Sequence, residues 1–201
     1  MVKRHPREYV AKIGIFGGTF DSVHRGHLAV ARAALRRLKL NKVVFIPAGV
    51  PPHKQRHPLA AFRHRFAMLK LATAREPRFA VSRLEAKGVH YSINTVRRMK
   101  RSLKRGDRLF FIIGADAFLE ISTWRKSEEL LQECEFVVAG RPGAPLKRVK
   151  TVGGVVHLLS RVNNRVSATQ VRAAARRGRP LAKLVPGAVA DYIKKNRLYK
   201  G

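Results

Sequence analysis

The residues best suited to chemistry in this chain fall within eleven consecutive positions, Gly17-Gly18-Thr19-Phe20-Asp21-Ser22-Val23-His24-Arg25-Gly26-His27. Paired glycines let a backbone approach a ligand closely, and a helix that starts just after them presents unpaired N–H groups with positive partial charge. Two histidines three apart at that start project to the same side, with Gly26 leaving room between them. The helix end disfavours the imidazolium form, so they act at rest as neutral hydrogen-bond donors. Facing a phosphoryl group, such donors stabilise negative charge as it develops. The segment is neither G-x-G-x-x-G nor G-x-x-x-x-G-K-[ST]. Two nearby histidines alone would read as surface residues or a metal pair; the surrounding glycines argue for phosphate.

A second constellation lies late in the chain. Ser167-Ala168-Thr169-Gln170 has the spacing of a capping box, and Arg172 follows within the first turns. A capped helix N-terminus with a guanidinium suits a polyphosphate, although Ser167 is equally well explained as an N-cap alone. Asp116 follows an apolar run, where a carboxylate can accept from ribose hydroxyls or merely cap a turn. Trp124, the single tryptophan, reads by itself as packing.

The elements that must position these groups alternate between strand-like and helix-like patterns. Strands are expected at residues 12–16, 42–46, 78–82, 108–113, 135–139 and 155–159. Helical patterns carry Leu28, Ala31, Leu35 and Leu38; Phe62, Phe66 and Leu69; and Val96, Met99 and Leu103 within residues 92–104. A further helix holds residues 172–177, and Pro186 opens a last one ending near Asn196. The expectation is one α/β domain over residues 1–201, a doubly wound, Rossmann-like parallel sheet with a small helical part over about 166–201. The Pro- and Gly-containing stretch 141–150 is expected to leave a strand rather than divide two domains.

Composition narrows the class. The 201 residues suffice for a buried core, and 45% are hydrophobic, which argues against disorder. No stretch reaches the ~18–20 apolar residues of a membrane span, and the basic start has no signal-peptide core after it. A lone Cys134 between Glu133 and Glu135 excludes a disulfide scaffold, fits a reducing cytoplasm, and reads as inert packing. Forty-three Lys and Arg against twelve Asp and Glu give a net charge of +31, which points to a polyanionic partner without choosing between nucleic acid and phosphate-rich small molecules. The cations at 97, 98, 101, 104 and 105 form a stripe, and the tail from Phe136 onward holds fifteen Lys and Arg against Asp191 alone. Nucleic-acid binding is therefore open but not required.

The string from Gly17 to His27 resembles the signature of the nucleotidyltransferase superfamily that shares a His-x-Gly-His element with class I aminoacyl-tRNA synthetases. Further landmarks are similar, from end to end, to bacterial nicotinate mononucleotide adenylyltransferases. They include Pro51-Pro52-His53-Lys54, Tyr91-Ser92, Ile113-Gly114-Ala115-Asp116, Thr123-Trp124, Val166-Ser167-Ala168-Thr169 and Tyr192-Ile193. The resemblance implies that the 5′-phosphate of nicotinate mononucleotide attacks the α-phosphorus of ATP, releasing pyrophosphate. It implies catalytic roles for His24, His27 and Arg172. It implies ATP contacts from Gly17, Gly18, Thr19, Phe20, His27, Gly114, Asp116, Ser167, Thr169 and Arg172. His24, His53, Lys54, Ser92 and Trp124 would hold the mononucleotide, with Trp124 stacking on the pyridine ring. Mg2+ is expected as the ATP complex, with no dedicated metal cage. Two departures stand out: Ser22 occupies the place of a usual proline, which puts loop rigidity in doubt, and Ala168 replaces a hydroxyl residue of the late motif. Phosphopantetheine adenylyltransferases and cytidylyltransferases are the nearest alternatives.

Overall fold

The computed structural model describes residues 10–49, 60–140, 153–160, 162 and 166–200. The expected strands pair into a six-stranded sheet with the order β3-β2-β1-β4-β5-β6, every neighbouring pair parallel. The strands are β1 (Lys12–Gly18), β2 (Lys42–Pro47), β3 (Phe79–Val81), β4 (Arg108–Gly114), β5 (Glu135–Ala139) and β6 (Val156–Leu159). The helices are α1 (Arg25–Arg37), α2 (Phe62–Thr73), α3 (Ser92–Lys100), α4 (Ala115–Leu119), α5 (Ser127–Glu133), α6 (Ala168–Arg176) and α7 (Gly187–Lys195). A 3-10 turn spans Ile121–Thr123.

Strand β4 shows why the sheet is central. Its residues 109–113 are all buried, and they alternate between two cores, as a pleated strand covered on both faces must. Phe110 and Ile112 join one core with α1, α2, α6 and α7, including Leu28, Leu35, Met68, Val171 and Val189. Leu109, Phe111 and Ile113 join the other with Ile93, Val96, Leu130 and Phe136. The late helical part shares the first core, so it packs on the sheet. Strand β1 lies between β2 and β4, so the chain reverses its winding direction there and opens a crevice beyond the strand ends.

Three expectations shift in detail. The helix expected over 92–104 ends at Lys100, because Ser102 Oγ donates to the Met99 carbonyl and Asp107 Oδ2 accepts from the Lys104 N–H, closing a turn before Gly106 at φ +93. Lys104 and Arg105 are therefore off the helix. In α2 the buried stripe is Arg65, Met68, Leu69 and Ala72, while Phe62 and Phe66 are half-buried and stack at 5.9 Å. Helices α4 and α5 had no clear periodicity; α5 buries only the adjacent Leu130 and Leu131. Cys134 packs as expected: burial pushes its thiol up to about 12. Residues 141–150 lie outside the described residues.

Candidate active site

The first turn of α1 is built by the two histidines. His24 is the N-cap, in extended backbone, and its N–H donates to His27 Nδ1 at 3.3 Å. With Nδ1 accepting, neutral His27 carries its proton on Nε2. The two rings stack, with centroids 3.7 Å apart and planes 28° apart. Phe16 and Phe20 stand edge-on to the His27 ring at 5.9 and 4.9 Å, limiting its tilt. Gly26 is required here: a Cβ would lie 2.9 Å from the His24 ring and 3.0 Å from the Val166 carbonyl oxygen.

This turn opens onto a cleft of about 740 Å³ beyond the carboxyl ends of β1, β4 and β5. The cleft brings together Gly17, Gly18, Thr19, Phe20, His24 and His27 from the first segment with Gly114 and Asp116 from the end of β4. Thr169 and Arg172 complete it from α6. Ser167 stands beside the lining as the α6 N-cap: its Oγ accepts from the Gln170 N–H at 3.3 Å, and its N–H donates to Gln170 Oε1 at 2.8 Å. The expected capping box is thus formed. Ser92 and Trp124 do not line this cleft. Ser92 opens α3, and partly buried Trp124 packs edge-on to Phe111 at 6.3 Å. Their segments meet where the Arg125 guanidinium sits 4.6 Å over the Tyr91 ring. His53 and Lys54 lie outside the described residues.

Four side chains hold the loop before α1, and three of them had no role in the sequence reading. Arg65, only 2% exposed, donates to the carbonyls of Thr19, Ala48, Gly49 and Ala60 at 2.6–2.9 Å. One guanidinium thereby ties the loop after β1 to the chain leaving β2 and the entry of α2. Asp21 Oδ1 accepts from the Tyr199 hydroxyl at 2.7 Å and from the Ala60 N–H at 3.3 Å. Burial first, then the Asp21 charge, pushes the Tyr199 phenol above its ordinary value, so it remains a donor. Arg172 Nη1 donates to the Asp21 carbonyl at 2.5 Å, which locks α6 onto the same loop. Ser22 is fully buried within this clamp, so the loop is held without the proline ring. Arg65 was legible in principle: a cation three and four positions before Met68 and Leu69 stands in line with an apolar stripe. Tyr199, 178 positions from Asp21, left no local signal.

Comparison with known proteins gives the family. The cytidylyltransferase-like family matches residues 15–174. A probable nicotinate-nucleotide adenylyltransferase of Thermoanaerobacter sp. is 41% identical, with 94% of each chain covered. One from Thermus thermophilus is 40% identical over 94% of this chain and all of its own. Among solved structures, a Plasmodium falciparum nicotinic acid mononucleotide adenylyltransferase complexed with NaAD superposes with a TM-score of 0.75 at 19% identity, covering 94% of this chain and 97% of that one. That likeness bears on the fold. Given the near full-length relatives, the chain belongs to the nicotinate-nucleotide adenylyltransferase family, within the cytidylyltransferase-like group.

Proposed function

We propose that this chain transfers the adenylyl group of ATP to nicotinate mononucleotide, forming nicotinate adenine dinucleotide and pyrophosphate, an enzymatic step of NAD biosynthesis. The observation that carries the reading is the stacked His24–His27 pair at the start of α1, lining one cleft with Thr169 and Arg172 of α6. The mononucleotide phosphate is already an anion at neutral pH, so the reaction needs alignment and charge stabilisation rather than a protein nucleophile. Its oxygen attacks the α-phosphorus as the bond to the β-phosphate oxygen breaks. In this proposal His27 Nε2–H and His24 stabilise charge on the reacting phosphates, and the loop of Gly17, Gly18, Thr19 and Phe20 admits the α-phosphate closely. Arg172 and Thr169, with the capped α6 terminus behind Ser167, hold the leaving pyrophosphate. Gly114 and Asp116 take the adenosine side, with the Asp116 carboxylate accepting from the ribose.

Ser92 and Trp124 are assigned to the pyridine ring and its carboxylate, and His53 and Lys54 to the mononucleotide phosphate. Mg2+ enters as part of the ATP substrate. Among the described residues no three His, Cys, Asp or Glu side chains are grouped to hold a metal of their own. Residues 1–201 act as one nucleotidyltransferase unit in this reading, working in the cytoplasm, which suits the unpaired Cys134. No helix among the described residues is long and apolar enough to cross a membrane.

The test is direct. Purified protein is incubated with Mg-ATP and each of nicotinate mononucleotide, nicotinamide mononucleotide and phosphopantetheine, and pyrophosphate and product are measured. Nicotinate mononucleotide should give the highest kcat/KM. Preference for the amide would overturn the acid assignment, and turnover with phosphopantetheine alone would overturn the acceptor class.

A further inference from the structure

The sheet divides the charge of this protein unequally. Helices α1, α2, α6 and α7, all packed on one face, carry eleven lysines and arginines against the single Asp191. Helices α3, α4 and α5, on the other face, carry three against four acidic residues. Two of those three are neutralised: Arg97 pairs with Glu129 and Glu133 at 2.6 and 3.1 Å, and Lys100 with Glu133 at 2.6 Å. Of the stripe that looked most basic in the sequence, only Arg97 makes an ion pair among the described residues; Arg98 lies on α3, and Arg101, Lys104 and Arg105 lie at and beyond its end. On the first face, Arg65 and Arg172 are taken up by the clamp around the active-site loop. The other nine cations are all exposed, and among the described residues none makes an ion pair.

The arrangement on that face has shape as well as charge. Arg25, Arg32 and Arg36 fall at i, i+7 and i+11, so they share one stripe about 16 Å long on α1. Beside the stripe, between α1, the end of α2 and the start of α7, lies a depression of about 420 Å³. Its rim holds Arg25, Arg32 and Arg75, and its walls include Leu28, Leu71 and Pro186. Leu71 is 38% exposed. This depression shares no lining residue with the active-site cleft, which opens on the other side of α1.

We propose that this face docks single-stranded nucleic acid, with phosphates on the α1 stripe and Arg75 and one base seated in the depression. Cations of one sign spread over four helices fit an extended polyanion better than a small anion. An apolar floor among guanidinium groups suits a planar base flanked by phosphates, and only a single strand offers an unstacked base. A lipid surface is less well matched, because the single tryptophan packs on the opposite face, where an interfacial anchor would not help. Docking of this kind does not depend on the acceptor assigned above.

The experiment measures fluorescence anisotropy of a labelled 20-nucleotide single-stranded RNA with the full chain across a salt series. The wild type should bind with log K falling linearly with log salt. Combining Arg32→Gln, Arg36→Gln and Arg75→Gln should weaken binding at least tenfold and reduce the slope by about 2, at roughly 0.7 for each phosphate no longer neutralised. Lysine at the same three positions should keep most of the binding. Combining Arg98→Gln, Arg101→Gln and Arg105→Gln removes the same charge from the other face and should leave binding nearly unchanged. Adenylyl transfer should persist in all three variants, which verifies their folding. Equal weakening by the two glutamine sets would overturn the proposal, as would displacement of RNA by saturating Mg-ATP. Equal affinity for a duplex of the same sequence, or binding to anionic vesicles but not RNA, would also overturn it.

Discussion

His27 owes its tautomer to a backbone group, since the His24 N–H donates to its Nδ1 and leaves Nε2–H as the donor presented by the neutral ring. A donor set in advance where phosphate charge develops costs no reorganisation during the reaction. His27→Ala and His24→Ala should each lower kcat by about 10²–10³ with the fold retained, measured by steady-state assay alongside circular dichroism. Arg65 acts differently, through backbone carbonyls. Arg65→Met would leave four partly buried carbonyls without their donor, a loss on the order of 3 kcal/mol in chemical denaturation. Tyr199→Phe removes a donor from the Asp21 carboxylate and should cost about 2 kcal/mol, with KM for ATP rising more than kcat falls. Equal stability of Tyr199→Phe and wild type would remove the tail from the clamp.

At the scale of elements, the two faces of the sheet are stabilised by different means. Helix α1 needs no ion pairs: it buries Leu28, Ala31 and Leu35 and places Arg36 and Arg37 in its last turn, where the helix dipole favours cations. Helices α3 and α5 are short and are joined by Arg97, Lys100, Glu129 and Glu133. Hydrogen bonds from Lys100 and Arg97 hold the Glu133 carboxyl below its ordinary value of 4.5, and Lys126 and Arg97 do the same for Glu129. A carboxylate whose folded pKa is depressed adds stability above its unfolded pKa and loses it as pH falls through the folded one. The seam should therefore weaken as pH drops below about 4.5 and be fully formed at pH 7. Because the pairs are exposed, the effect is modest and fades with salt. Thermal melts between pH 7 and pH 3 should show it, with a shallower acid limb in Glu133→Gln.

For the whole molecule, the +31 charge acts at long range on anionic substrates. Arg172 is the one cation of the described cleft lining, so most of the charge surrounds the site rather than filling it. Electrostatic capture then predicts that kcat/KM for ATP falls about tenfold from low salt to 0.3 M while kcat stays nearly constant. A salt-independent kcat/KM would confine the charge to other partners.

The glycine–histidine segment, the capping box of α6 and the strand succession were all legible in the sequence, because each rests on local conformation or hydrophobic period. So was the shared outlook of His24 and His27, which follows from a three-residue spacing on a helix. Tertiary structure alone decided that Arg65 is buried on four carbonyls, that Tyr199 reaches Asp21, and that Arg97 and Lys100 are neutralised while the exposed cations of α1 are not. The physical reason is that a charge carries no mark of its partner along the chain. Only tertiary packing determines which lysines and arginines meet a carboxylate or carbonyl, and which stay in water.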